Sequence, residues 1–347
     1  MVNRTVAGRY GVRLALVAAL MAAIPSVGIS TFASADPVKS TAPADSGSYL
    51  VSMTNVKDRE WMMRVYSASM DQVIPLQVIT PADASVPRPT LYLLSGAGGG
   101  EDSASWQANM DVPGFFADKN VNLVSPLKGK FSYYTDWEQS DPKLGTNMWT
   151  TFLTKELPPI VDAQLGTNGI NSIAGISMAG TSVLSLAQAA PDLYRGVGAY
   201  SGCAMTSSEP GQTYVRTVVE SRGGADATNM WGPYDGPGWV ANDPYVNAEK
   251  LRGLGIYVSS GTGLPGPGDR LDSPGIDGDI GALAGRIIVG GVIEAATNQC
   301  THALAGRLHE LGIPATFDFR PTGTHSWSYW VEDLHKSWPM LAASMGL

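Results

Sequence analysis

Cysteine is nearly absent: the 347 residues hold two, Cys203 and Cys300. A scaffold stapled by many disulfides is therefore excluded, although in an oxidising compartment these two can pair with each other. Histidine is almost as scarce, four in all, and no pair of Cys or His residues has the close spacing of a zinc site, so no resident metal and no other cofactor is expected. Basic residues are outnumbered, 23 Lys and Arg against 31 Asp and Glu, and the resulting formal net charge of −8 argues against nucleic acid as a partner. Beyond the first 35 residues no uninterrupted apolar run of ~20 residues occurs, so no transmembrane segment is expected in the mature chain. Phosphate and dinucleotide loops are missing as well. The Gly-rich stretch Ser95–Gly100 has no Lys and no G-x-x-x-x-G-K-[ST] pattern, and no G-x-G-x-x-G opens a helix.

What is present begins with a targeting signal. Arg4, Arg9 and Arg13 precede an apolar run from Leu14 to Ile24, and small residues follow, ending Ala33-Ser34-Ala35. That order predicts a secretory signal peptide over residues 1–35, and hence a protein exported to the cell envelope or beyond. Its three arginines leave with it, moving the formal net charge from −8 to −11. Residues 36–48, rich in Pro, Ser, Ala and Asp, read as a flexible leader, and 49–347 as one domain.

Within that domain, probable strands near Tyr49–Ser67 and Val73–Thr80 are followed by short apolar, β-rich runs bounded by Gly or Pro: Thr90–Leu94, Val121–Val124, Ile170–Ala174, Gly196–Tyr200, Ile256–Ser259 and Ala315–Phe319. Stretches with helical character lie between several of them, among them Met148–Val161, Ser182–Ala190 and Thr297–Leu311. Strands alternating with helices predict an α/β protein whose mostly parallel central sheet carries helices on both faces, the α/β-hydrolase type. Residues 204–255 break the rhythm with many Gly, Pro and Trp and read as a long irregular insertion.

The strongest local signal is Ala174-Gly175-Ile176-Ser177-Met178-Ala179-Gly180, where an apolar strand runs through a Gly-flanked serine into an Ala/Leu-rich helix. That context is a nucleophile elbow, with Ala179 where G-x-S-x-G has its second glycine. A serine hydroxyl needs a base to take its proton. Of the four histidines, His325 follows the last apolar strand in a Gly-containing loop, the place where this fold delivers its base, whereas His302, His309 and His335 lie on helical stretches. The chain order serine, acid, histidine leaves Asp269, Asp272, Asp277, Asp279, Glu294, Glu310 and Asp318 as partners for the imidazole, and spacing does not choose among them. The N–H of Met178 and one from the Gly-rich loop after Leu91–Leu94 are the expected oxyanion donors.

Taken together these stretches resemble the mycolyltransferases of mycolic-acid bacteria, whose best-known members are the antigen 85 proteins. The matches run in order through the chain: Leu91–Leu94, Ser132–Trp137, Trp149–Pro158, Gly175–Ala179, Met230–Pro233, Asn242-Asp243-Pro244, and Gly323–Trp327 with Tyr329-Trp330. The resemblance implies Glu294, at the end of Val292-Ile293-Glu294, as the acid, and the N–H of Ala97 as the second oxyanion donor. It implies transfer of a mycolyl group from trehalose monomycolate to a second trehalose monomycolate or to cell-wall arabinogalactan, through an acyl-Ser177 intermediate, with a plain carboxylesterase on the same scaffold as the alternative. Ser95 and Gly98 stand where the antigen 85 proteins have an Asp and an Arg, so the chain is more similar to the corynebacterial type. Trp327, Ser326 and Ser95 are the candidate substrate contacts.

Overall fold

The computed structural model describes residues 46–101 and 103–347. The expected signal peptide, and all but the last three residues of the expected leader, lie outside them. Nine strands form one sheet: β1 (Tyr49–Lys57), β2 (Glu60–Ser67), β3 (Gln72–Ile79), β4 (Thr90–Leu94), β5 (Asn122–Pro126), β6 (Asn171–Ile176), β7 (Tyr194–Tyr200), β8 (Gly255–Gly261) and β9 (Thr316–Arg320). Their spatial order is β1-β2-β3-β5-β4-β6-β7-β8-β9. The pairings β1–β2, β2–β3 and β3–β5 are antiparallel, and every pairing from β5 onward through β4 to β9 is parallel.

The central strands are apolar almost throughout because both faces are covered. Side chains alternate across the pleat. Tyr92, Leu94, Val124, Ile173 and Val197 join one core with residues of helices α1 (Leu157–Leu165), α2 (Met178–Ala189) and the later α4 (Ile280–Glu310). Leu91, Leu93, Leu123, Ala174 and Ile176 join the opposite core with Trp106, Phe116 and the C-terminal helix α5 (Trp327–Ser344).

Three expectations needed correction. The first predicted strand is two strands, turned back at Asp58-Arg59, where Asp58 takes φ 46°. The helix expected from Thr297 begins at Ile280 and runs to Glu310, with one wider π turn at Arg286–Gly290. By length and composition this is a helix that could cross a membrane, mean hydropathy 1.5; the sequence offered no uninterrupted run because Arg286 and Glu294 fall inside it. Finally, the insertion is ordered. It holds α3 (Glu209–Arg216), continued by a π-helical stretch over Thr217–Arg222, and three shorter helical segments, and it buries Met230, Trp231 and Trp239 in the core.

Candidate active site

Ser177 sits between the end of β6 and the start of α2 with φ 54° and ψ −121°, a conformation that side chains other than glycine rarely adopt and that costs roughly 1–3 kcal/mol. Its N–H donates to the Tyr200 carbonyl at the end of neighbouring β7 (2.8 Å), which holds the turn. The turn also needs strand and helix to approach closely. A Cβ on Gly175 would stand 2.8 Å from the Ala179 Cβ, so Gly175 must be glycine and Ala179 is then tolerated. The result is a half-buried hydroxyl presented at the C-terminal edge of the sheet.

His325 arrives from the loop after β9. Its N–H donates to the Gly290 carbonyl of α4 (3.1 Å), and the edge of Trp330 meets its ring at 4.8 Å between centroids. The preceding Thr324 donates its hydroxyl to Asp269 (2.6 Å), and Tyr329 donates to the other oxygen of the same carboxylate (2.6 Å). Asp269, one of the acids that spacing left open, therefore fixes the histidine loop and not the imidazole. Asp272 is exposed beside Arg270.

Glu294 is the carboxylate that meets the ring. It is fully buried on α4, and its Oε2 lies 2.8 Å from His325 Nδ1, while His325 Nε2 lies 2.7 Å from Ser177 Oγ. The other carboxylate oxygen, Oε1, accepts from the Gly261 N–H (2.6 Å), the Ser201 hydroxyl (2.8 Å) and Arg320 (3.3 Å). Arg320, at the end of β9, also pairs with buried Asp333 of α5. Trp330 Nε1 donates to Ser201 Oγ (3.0 Å) and completes the enclosure. Sequence reasoning missed Ser201, Gly261, Arg320 and Asp333. The one trace of them is a charged residue closing an otherwise apolar-aromatic strand, Thr316–Arg320.

The oxyanion candidates flank the serine. The Met178 N–H, in the first turn of α2, has no intrahelical acceptor. The loop after β4 that carries Ala97 lies against the nucleophile, since a Cβ on Gly96 would be 3.3 Å from Ser177 Cβ. The Ala97 carbonyl accepts from the Phe131 N–H (2.9 Å), which anchors that loop from its other side.

A cavity of about 290 Å³ opens over Ser177 and His325, with Tyr133, Tyr214, Val218 and Val292 in its largely apolar wall. The candidate substrate contacts fall elsewhere. Ser95 and Ser326 are enclosed in protein, and the ring of Trp327 packs edge-on to Trp106 (5.4 Å) and Trp330 (5.3 Å); none of the three lines the cavity. Cys203 and Cys300 are joined in a disulfide that links the end of β7 to α4. Such an arrangement can pass a proton from hydroxyl to imidazole as the oxygen attacks an acyl carbon, with a buried carboxylate balancing the charge that forms.

Known proteins with similar sequences include esterases and acyltransferases. The profile of the Esterase family, described as "Putative esterase", matches residues 67–341. The chain is 31% identical over 294 residues to the protein named diacylglycerol acyltransferase/mycolyltransferase Ag85A of Mycobacterium ulcerans, covering 82% of this chain and 81% of that protein. It is 32% identical to the Ag85A of Mycobacterium tuberculosis strain H37Rv, with the same coverage. Among solved structures, Mycobacterium tuberculosis MPT51 (FbpC1) superposes with a TM-score of 0.64 at 24% identity, over 80% of this chain and 96% of that one. An S-formylglutathione hydrolase from Agrobacterium tumefaciens gives 0.58 at 16% identity, over 86% and 99%. Both structures share the α/β-hydrolase fold described above.

Proposed function

This chain belongs to the Esterase family, among relatives of the antigen 85 type, and from that premise we propose that it is an exported serine acyltransferase that moves a mycolyl group from trehalose monomycolate to a second trehalose monomycolate or a cell-wall arabinan. Residues 1–35 direct export and are removed, and 49–347 act as one catalytic domain. The observation that carries the reading is the continuous relay Ser177 Oγ to His325 Nε2 (2.7 Å) and His325 Nδ1 to Glu294 Oε2 (2.8 Å) beneath an apolar cavity.

In the mechanism, Ser177 Oγ attacks the ester carbonyl while His325 Nε2 takes its proton, and Glu294 stabilises the imidazolium. The carbonyl oxygen, now negative, is held by the N–H groups of Met178 and Ala97. Collapse expels trehalose, which takes the proton from His325 and leaves acyl-Ser177. An acceptor hydroxyl then gives its proton to the same nitrogen and attacks the acyl carbon, and the departing Ser177 oxygen takes that proton back as the ester product leaves. Water competes at this second step, and the apolar wall around Ser177 disfavours it. The acceptor sugar approaches Ser177 through this cavity, whose wall includes the half-buried ring of Tyr214.

Incubation with trehalose monomycolate and separation of the products tests the proposal. Trehalose dimycolate should form, and Ser177→Ala should abolish it while the variant stays folded by circular dichroism. Free mycolate as the sole product would replace transfer by hydrolysis; full transfer by the Ser177→Ala protein would overturn the acyl-serine mechanism.

A further inference from the structure

The described residues include fifteen exposed large apolar side chains, and seven of them fall between residues 264 and 293. The concentration is greatest on α4. Its first six residues, Ile280–Gly285, bury nothing, and beyond them Ile288 is 66% exposed, Val289 61% and Val292 70%. From Ile280 to Ile293 there is one charged residue, Arg286, and its guanidinium is turned onto the carbonyls of Gly268 and Pro274. A helix that is apolar on every side normally lies in a protein core or in lipid. This one faces solvent.

Three observations say what covers it. The exposed side chains from Ile280 to Ile293 are aliphatic, with no Trp or Tyr and with their one Arg held by backbone carbonyls, and hydrocarbon asks for no hydrogen bonds. This surface is also continuous with the catalytic cavity, because Val292 and Ile293 belong both to the exposed face and to the cavity wall above Ser177. That cavity, about 290 Å³, is on the order of ten water volumes and holds only the carbonyl-proximal part of a long acyl chain. At the N-terminal end of α4 the exposed Asp272, Asp277 and Asp279 outnumber exposed Arg270, which pairs with Asp272, and this net negative charge disfavours an anionic surface.

We infer that the first three turns of α4 seat the protein on a lipid surface with uncharged or zwitterionic head groups, so that the acyl donor passes from that surface into the cavity without crossing water. The inference rests on the acyl-transfer reading, since the continuity between patch and cavity matters only if Ser177 accepts a lipid acyl chain. The docked geometry leaves the insertion side of the cavity, where Tyr214 stands, open to a water-borne acceptor.

The test compares the full chain with its Ile288→Ser/Val289→Ser variant, both carrying the same N-terminal segment, by flotation with phosphatidylcholine vesicles and with phosphatidylglycerol vesicles. The parent should float with phosphatidylcholine at least as well as with phosphatidylglycerol, and the variant's partitioning should fall at least tenfold. Hydrolysis of dissolved p-nitrophenyl butyrate, which needs Ser177 but no lipid surface, should stay within twofold of the parent. If that turnover is lost as well, Ile280→Ser, two turns further from Glu294, decides by the same flotation, with a loss of threefold or more expected. Equal flotation of parent and variant, a parent that stays with the unbound protein, or a concentration-dependent dimer in the parent that the variant abolishes would each overturn the inference. Failure of the catalytic reading looks different: Ser177→Ala would retain transfer while flotation is unaffected.

Discussion

Two buried carboxylates, Glu294 and Asp333, face the single guanidinium of Arg320. Glu294 has two further donors on the oxygen that Arg320 reaches and an imidazole on the other, so its charge is well dispersed. Asp333 has Arg320 as its one charged partner, and burial pushes its carboxyl up to about 7, with Arg320 pulling the other way. Because the folded pKa lies above the unfolded value of about 3.9, the folded protein keeps a proton that the unfolded chain releases between those pH values. The contribution of this group to stability is therefore fullest below pH ~4, declines as pH rises to about 7, and is level above it. Asp333→Asn, which fixes the neutral form, should flatten the dependence of stability on pH between 4 and 8, by at most roughly 4 kcal/mol; urea unfolding at pH 5 and pH 8 measures it. A slope equal to the parent's would mean that Asp333 is ionised throughout. Arg320→Met removes the guanidinium that the two buried carboxyl groups share, so it should cost about 3–5 kcal/mol in the same assay at pH 8.

At the scale of elements, the site depends on how closely α2 approaches the end of β7. A Cβ on Gly180 would stand 2.6 Å from the Tyr200 carbonyl oxygen and 3.0 Å from the Gly202 nitrogen, both backbone atoms that cannot swing aside. Gly180→Ala should therefore destabilise by about 1–3 kcal/mol, and it should slow fluorophosphonate labelling of Ser177, because Tyr200 is the residue that holds the Ser177 N–H. Thermal unfolding and the labelling rate check both effects. The central strands were legible because burial on both faces turns them into short unbroken apolar runs between Gly and Pro. Ser177 and His325 were legible because each sits on a strand-end loop with a local signature. Glu294 was not, since it lies inside a helix, far along the chain from both partners, and several aspartates nearby fit the chain order equally well; the family resemblance alone singles it out. The helix that carries it was half hidden for a related reason: residues 280–293 have no polar face and many glycines, so they show no helical period. Ser201, Gly261 and Arg320 act through contacts that only the assembled sheet creates. The same holds for Asp269, whose task is to grip Thr324 and Tyr329.

For the whole molecule, the Cys203–Cys300 bridge closes a loop of 97 residues, with Cys203 in the wall of the cavity over Ser177 and Cys300 on the helix that carries Glu294. Cross-linking a loop of that length restricts the unfolded chain, so replacing both cysteines by alanine should lower stability by about 2–5 kcal/mol, seen as a lower urea midpoint. The insertion that this loop contains leaves the sheet at the end of β7 and rejoins it at the start of β8, contributing Thr213, Tyr214, Thr217, Val218 and Arg222 to the cavity wall. No residue of the Ser177, His325 and Glu294 relay comes from it. One side of the cavity is thus built by a chain segment separate from those that carry the relay. Substitutions at Tyr214 or Val218 would therefore reshape that side of the cavity while Ser177 and His325 keep their places at the strand ends and Glu294 keeps its place on α4.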